Sequence, residues 1–232
     1  MTILALDTSG ENCSACIMDE SKVIADFNIS TGTTHSETLL PMIDTMCKYA
    51  NIDLKDIDAF ACSIGPGSFT GLRIGIATIK GFALSLDKKV VGITTLESLA
   101  QNVSAFNGLI CSVLDAKNDN VYAGIYQNEN GTLTRKGEYQ TGTIDELIET
   151  LKNISQDIIF VGDGSISFKE KFQEALQEKA HFAPLHLAHQ LSTSVANLAL
   201  QKFKNGEFET ANSLMPMYLK KSQAEREAES AN

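Results

Sequence analysis

Two short stretches decide how this chain is read: Ser63-Ile-Gly-Pro-Gly-Ser68 and Phe160-Val-Gly-Asp-Gly-Ser165. Each lies at the end of a short apolar run and leads into helical spacing, as where a buried strand turns sharply into a helix. A single Gly-x-Gly-Ser in that position is weak, because glycine often does no more there than admit a tight turn. Its occurrence in both halves makes the flanking segments worth comparing.

Ahead of the first stretch are strand-forming runs at 3–6, 13–18 and 23–29, followed by helical spacing over 35–49. Pro41 falls within that helix and is compatible with it only if the helix starts nearby or bends there. A buried strand at 59–64, a helix at 70–86 and a strand at 90–93 complete the half. The second half gives strands at 109–114, 121–126 and 133–139, a helix at 144–151, a strand at 158–161 and a helix at 168–176. Both halves are ordered strand–strand–strand–helix–strand–helix, which predicts a duplicated α/β unit with a cleft between two lobes. Residues 1–103 would form the N-terminal lobe and 104–232 the C-terminal lobe. A further amphipathic helix over 192–205 stops at Asn205-Gly206, and the pattern leaves open which lobe it covers. Residues 224–232 read as a frayed end.

Composition narrows the classes. The 232 residues are 43% hydrophobic and 21% charged, which suits a chain with a real core and excludes disordered, collagen-like and coiled-coil readings. The net charge is −10 and is shared between the halves: residues 1–100 carry 7 basic and 12 acidic side chains, residues 101–232 carry 12 and 17. No basic footprint is present, so any nucleic-acid role is expected to lean on a partner. Five scattered cysteines predict free thiols rather than a disulfide framework. The Met1-Thr-Ile-Leu start lacks a basic leader, and the apolar stretch from Leu72 to Leu86 contains Arg73 and Lys80 and reads as too short to cross a bilayer. The expectation is a cytoplasmic protein with no membrane association.

Several constellations could carry chemistry. Asp7-Thr8-Ser9 ends the first strand, where ligands of α/β sheets bind, but an Asx-type turn is the favoured explanation. Gly65 and Gly67, with their counterparts Gly162 and Gly164, could cradle a phosphate; no Lys follows as a P-loop requires. Asp7, Thr8 and these four glycines form a weak nucleotide-binding set. Cys13 and Cys16 are three apart on a strand and point to opposite faces, so they cannot share a metal. His186 and His189 lack the partners of a metal motif, and no catalytic residue, metal ligand or cofactor is assigned. The helix over 70–86 is apolar all round and carries Gly71, Gly75, Thr78 and Phe82 at roughly four-residue spacing, which would admit another helix closely. The helix over 35–49 is similarly rich in apolar side chains. The pair either packs together on the sheet or forms a face for another subunit. The candidate partner-binding residues are His35, Leu39, Met42, Ile43, Met46, Gly71, Leu72, Gly75, Thr78 and Phe82.

Ile3-Leu-Ala-Leu-Asp-Thr-Ser9, Thr34-His-Ser-Glu-Thr-Leu-Leu-Pro-Met-Ile43 and the Gly65–Gly81 block, Gly-Pro-Gly-Ser-Phe-Thr-Gly-Leu-Arg-Ile-Gly-Ile-Ala-Thr-Ile-Lys-Gly, strongly resemble the TsaB (YeaZ) family of bacterial tRNA threonylcarbamoyladenosine biosynthesis. The resemblance is dense over residues 1–126, thin from about 127 to 212, and returns at Pro216-Met-Tyr-Leu219. It implies an actin-like ATPase (ASKHA, duplicated ribonuclease H-like) fold. It also implies a non-catalytic partner of TsaD, the paralogue that threonylcarbamoylates adenosine-37 of tRNAs reading ANN codons, with the ATPase TsaE in the same assembly. The helices over 35–49 and 70–86 would bundle with TsaD, or with a second copy when the partner is absent. TsaD's His-x-x-x-His metal pair is missing here, and Lys117 stands where the family often has Arg. An ATP-dependent phosphotransferase of the same fold, or a glycoprotease-type metallopeptidase, are the alternatives.

Overall fold

The computed structural model describes residues 1–32 and 34–219; the frayed end expected over 224–232 lies outside them. The first half contains β1 (Thr2–Asp7), β2 (Cys13–Asp19), β3 (Val23–Ile29), α1 (His35–Ala50), β4 (Ala59–Gly65), α2 (Phe69–Leu86), β5 (Lys89–Thr94) and α3 (Thr95–Asn102). The second contains β6 (Leu109–Asp115), β7 (Asn120–Glu129), β8 (Thr132–Arg135), β9 (Gln140–Thr143), α4 (Ile144–Lys152), β10 (Ile158–Val161), α5 (Asp163–Ser167), α6 (Lys169–Leu176), β11 (Ala180–Phe182) and α7 (Ser192–Lys204).

The two sheets share one topology. Their strand orders are β3-β2-β1-β4-β5 and β8-β7-β6-β10-β11, with β9 added beside β7. In each, the first two pairings are antiparallel and the last two parallel. The duplication inferred from the two Gly-x-Gly-Ser stretches is therefore the architecture. The strand expected over 133–139 stops at Arg135 as β8, where Gly137 at φ 78° turns the chain, and β9 follows as a further strand from Gln140. Three short elements, α3, α5 and β11, are additions to the expected list.

Alternation of side chains along the central strands gives each sheet two apolar faces. Leu4 and Leu6 of β1 point into a core shared with Leu39, Met42, Ile43 and Met46 of α1 and Ile76, Ile79 and Ala83 of α2. Ile3 and Ala5 point the other way, against Val195, Ala196, Leu198, Ala199 and Leu200 of α7. The second sheet presents Cys111, Val113 and Phe160 to α4 and α6, and Ile110, Tyr126 and Val161 to Leu96, Leu99 and Ala100 of α3. The helices thus cross: α3, which follows the first sheet, covers the second, and α7, which follows the second, covers the first. Asn102 at the end of α3 fixes the crossing, donating to the carbonyls of Leu187 and His189 at 2.8 Å each and accepting from Ser194 of α7 at 2.6 Å.

Pro41 lies inside α1, where the helical spacing over 35–49 placed it, and the helix continues through it. Its missing N–H would have reached the carbonyl of Glu37 in the exposed first turn, where water can replace it. The 18 residues of α2, at a mean hydropathy of 1.2, are long and apolar enough to cross a membrane by length and composition, so the argument from shortness fails. What places α2 is packing: Gly71, Leu72, Gly75, Ile76, Ile79 and Ala83 are buried on one side. The opposite side is open, so the apolar surround read from the sequence is half core and half surface.

Because α7 supplies the whole second face of the first sheet, Leu198→Ala should cost about 2–5 kcal/mol in urea unfolding. An unchanged midpoint would show that α7 is not part of that core.

The closed turn at Asp7 and the outer face of two helices

Asp7 is fully buried at the end of β1. Its Oδ1 accepts from the Ser9 backbone N–H at 2.9 Å and from Ser9 Oγ at 2.6 Å, and its Oδ2 accepts from Ser63 Oγ on β4. The first bond closes an Asx turn. Burial pushes the Asp7 carboxyl above the ordinary aspartate range, against the opposing pull of the Ser63 and Ser9 hydrogen bonds and of His35. Thr8 Oγ1 donates to the Gly71 carbonyl at 2.8 Å.

The glycine loop is closed in the same way. The N–H of Ser68 donates to the Ser9 carbonyl at 2.7 Å, and Ser68 Oγ caps α2 by accepting from the Gly71 N–H at 3.2 Å. A Cβ on Gly67 would overlap the Ser9 carbonyl oxygen. Gly71 and Gly75, expected to admit a second helix, instead admit the end of β1: a Cβ on either would collide with Thr8. Their spacing is set by packing of α2 on a strand end.

In the second lobe Gly162 and Gly164 play a comparable part. A Cβ on Gly162 would overlap the Val113 carbonyl of β6, and one on Gly164 would strike the Val113 side chain. Asp163 Oδ1 takes the Gly164 N–H at 2.8 Å and the Asp115 N–H at 3.1 Å, while burial pushes its carboxyl up as well. Gln190, itself buried, lies against Gly10 in the β1–β2 turn. Between the lobes a cleft of about 410 Å³ remains, lined by Glu11, Asp115 and Asp163 with Lys117 as its cation.

The actin-like fold would put a nucleotide with its metal at this place, and the residues present do not fit one. Both oxygens of the carboxylate that would face the metal already accept from protein donors, three in all. The Ser68 and Gly71 N–H groups that could cradle phosphate have protein acceptors, and three carboxylates around one lysine repel a polyphosphate. Among the described residues no group of three or more His, Cys, Asp or Glu is placed to hold a metal ion. Cys13 and Cys16 join cores on opposite faces of the first sheet, and burial pushes their thiols up to about 11 and about 12.

The candidate partner residues divide by burial. Leu39, Met42, Ile43, Met46 and Leu72 lie in the chain's own core, and Gly71 and Gly75 face Thr8. His35 ties the start of α1 to the β1–β2 turn through Nε2 and the Gly10 carbonyl at 2.9 Å. Thr78 and Phe82, like His35, stand half open, with Phe82 tilted against Phe60 at 5.7 Å. The outer surface of the pair is carried by residues the sequence reading missed: Leu40 and Tyr49 on α1, and Phe69, Arg73, Ala77, Gly81 and Leu84 on α2. Leu40 is 54% exposed and Leu84 60%. Beside Phe82 a cleft of about 490 Å³, lined with Leu40, Ile43, Cys47, Ile52 and Leu54, continues that surface. Helical spacing alone could not separate these residues from their buried neighbours, because both sides of each helix are apolar.

Comparison with known proteins agrees with this geometry. The family model for TsaD, tRNA N6-adenosine threonylcarbamoyltransferase, matches residues 29–228. The tRNA threonylcarbamoyladenosine biosynthesis protein TsaB of Bacillus subtilis is 30% identical over 97% of this chain and 96% of its own length. That of Escherichia coli is 29% identical over 95% of each. A solved structure of YeaZ from Pseudomonas aeruginosa superposes with a TM-score of 0.79 at 28% identity, covering 94% of this chain and 99% of its own. The ROK hexokinase of Thermus thermophilus, at 12% identity and a TM-score of 0.53, shares the actin-like fold alone.

Two variants test the closed turn. The folded chain holds the Asp7 proton more tightly than the unfolded chain does. Stability from this group is therefore full below about 3.8 and falls as pH rises through the raised value. Asp7→Asn should flatten that fall and hold stability at pH 7 at or above the parent, whereas Asp7→Ala strands the Ser9 and Ser63 hydroxyls and costs about 1–3 kcal/mol. Denaturant unfolding at pH 4.5 and 7 reads both. Gly75→Ala should lower stability by about 1–3 kcal/mol through its clash with Thr8, and an unaffected Gly75→Ala would refute the close approach.

Proposed function

This chain belongs to the TsaB family, and from that premise we propose that it is a non-catalytic partner of TsaD that permits threonylcarbamoylation of adenosine-37 in tRNAs reading ANN codons. The lobe formed by residues 1–103 binds TsaD through the outer face of α1 and α2. TsaE joins the same assembly, and the face pairs with a second copy of the chain when TsaD is absent. The tRNA is held by the partners, because a chain with a net charge of −10 repels it.

The observation that carries this reading is the contrast between the two sides of the helix pair. The inner side is closed upon β1 and the first core, while the outer side exposes Leu40 on α1 and Phe69 and Leu84 near the two ends of α2. Exposed apolar surface arranged in this way marks an interaction site. The engaged Asp7 turn supports the absence of catalysis by this chain, since both oxygens of the group that would organise metal and phosphate are turned to protein donors.

Sedimentation of the chain with purified TsaD from the same organism, beside tRNA modification by the mixture, tests the proposal. A stable complex with activity only in the mixture is expected, and Leu84→Glu should weaken it at least tenfold without lowering the melting temperature. A chain that hydrolyses ATP alone and forms no complex would favour the phosphotransferase alternative.

A further inference from the structure

The outer stripe of α2 carries Phe69, Arg73, Ala77, Lys80 and Leu84 at three- and four-residue spacing, and Arg73 is its one arginine, with the half-buried Lys80 two turns away. Its guanidinium carbon lies over the Phe69 ring, 3.9 Å from the centroid, and its Nε donates to the Tyr218 hydroxyl at 3.3 Å. Tyr218 in turn stacks on Phe69 with ring centroids 5.2 Å apart. Arg135, the other arginine among the described residues, has Glu138 at 3.5 Å. Arg73 has no carboxylate partner among them. It is an exposed cation held against two aromatic side chains, with no acid among the described residues paired to its guanidinium.

The ring that holds it comes from the end of the described chain. The segment after α7 pairs Glu209 with Val90 of β5, buries Ala211 and Leu214 in the first core, and donates the Met217 N–H to the Ile64 carbonyl at 2.7 Å. Gly65, at φ 118°, permits this approach: a Cβ there would meet the Met217 carbonyl oxygen. Leu219 then packs against the core of the second lobe. The segment is anchored on both sides of Tyr218, so Tyr218 is delivered to Arg73 as a fixed clasp.

We infer that Arg73, clasped between Phe69 and Tyr218, is the polar anchor of the outer face and takes up a carboxylate that the partner protein presents among apolar side chains. A guanidinium whose position and Nε are already fixed forks a carboxylate with little further loss of freedom, and a lysine ammonium at this position could offer neither a planar group over Phe69 nor two parallel donors. The apolar residues along the stripe, Ala77 and Leu84, call for an apolar surround to that acid. This inference rests on the partner reading above and adds to it the acidic group that the partner must supply and the C-terminal segment as part of the binding surface.

The test measures affinity for TsaD of the same organism by titration calorimetry, for the unaltered chain, Arg73→Ala, Arg73→Lys, Tyr218→Ala and Leu84→Glu, with melting temperatures to confirm folding. Arg73→Ala and Arg73→Lys should each weaken binding at least tenfold, and Tyr218→Ala several-fold. Raising sodium chloride should weaken the unaltered complex more steeply than the Arg73→Ala complex. If Arg73→Lys binds as tightly as the parent, or the salt dependence is the same with and without Arg73, the inference falls. Leu84→Glu abolishing binding while the Arg73 variants retain it would overturn the anchor and leave the partner reading standing. Failure of the unaltered chain to bind would overturn both.

Discussion

The contact between the backbone of α2 and Thr8 at the end of β1 is the constraint from which the rest of the molecule follows. Gly71 and Gly75 allow the helix to lie directly on the strand end, and the Thr8 hydroxyl bonds to the Gly71 carbonyl at 2.8 Å. That proximity brings the loop before α2 onto Ser9 and leaves Asp7 enclosed by Ser9 and Ser63. The place where this fold would hold phosphate and metal is filled by the chain itself. The same contact fixes which side of α2 faces inward, and hence which side is left to meet another protein.

The crossing of α3 and α7 makes the two sheets one structure. Each helix completes the sheet of the opposite half, so neither half has both faces covered by its own segments. Asn102 joins α3, the 187–189 loop and α7 through three hydrogen bonds of 2.6–2.8 Å. A half-buried Lys202–Glu97 pair at 2.8 Å spans the same two helices. Buried polar links of this kind favour one arrangement over its competitors. An arrangement held in this way suits a chain whose proposed role is to present a fixed surface.

The long elements were legible because the central strands are continuous apolar runs buried on both faces and the helices bury residues at helical spacing. The strands at 3–6, 59–64 and 109–114 and the helices at 35–49 and 144–151 emerge within a few residues of their ends, and the repeated order exposed the duplication. The misses have physical causes. α3 and β11 are eight and three residues long, too short for a period to stand out, and α3 takes its place from a sheet distant in sequence. The site was less legible than the fold. Leu39 and Leu40 are adjacent and equally apolar, yet one is core and the other 54% exposed, a distinction made only by the position of the sheet. Gly71 and Gly75 signalled a close approach correctly, but spacing says nothing about what approaches. Tyr218 and Arg73 are 145 residues apart, and no local pattern could have joined them.

Hydrogen–deuterium exchange on this chain, alone and with TsaD added, tests the central claim most directly, because it maps the bound surface without altering a residue. The account predicts slower exchange along α1, α2 and the segment around Tyr218, with the inter-lobe cleft at Asp115, Lys117 and Asp163 unchanged. Protection confined to that cleft, with both helices exchanging as they do in the free chain, would contradict it.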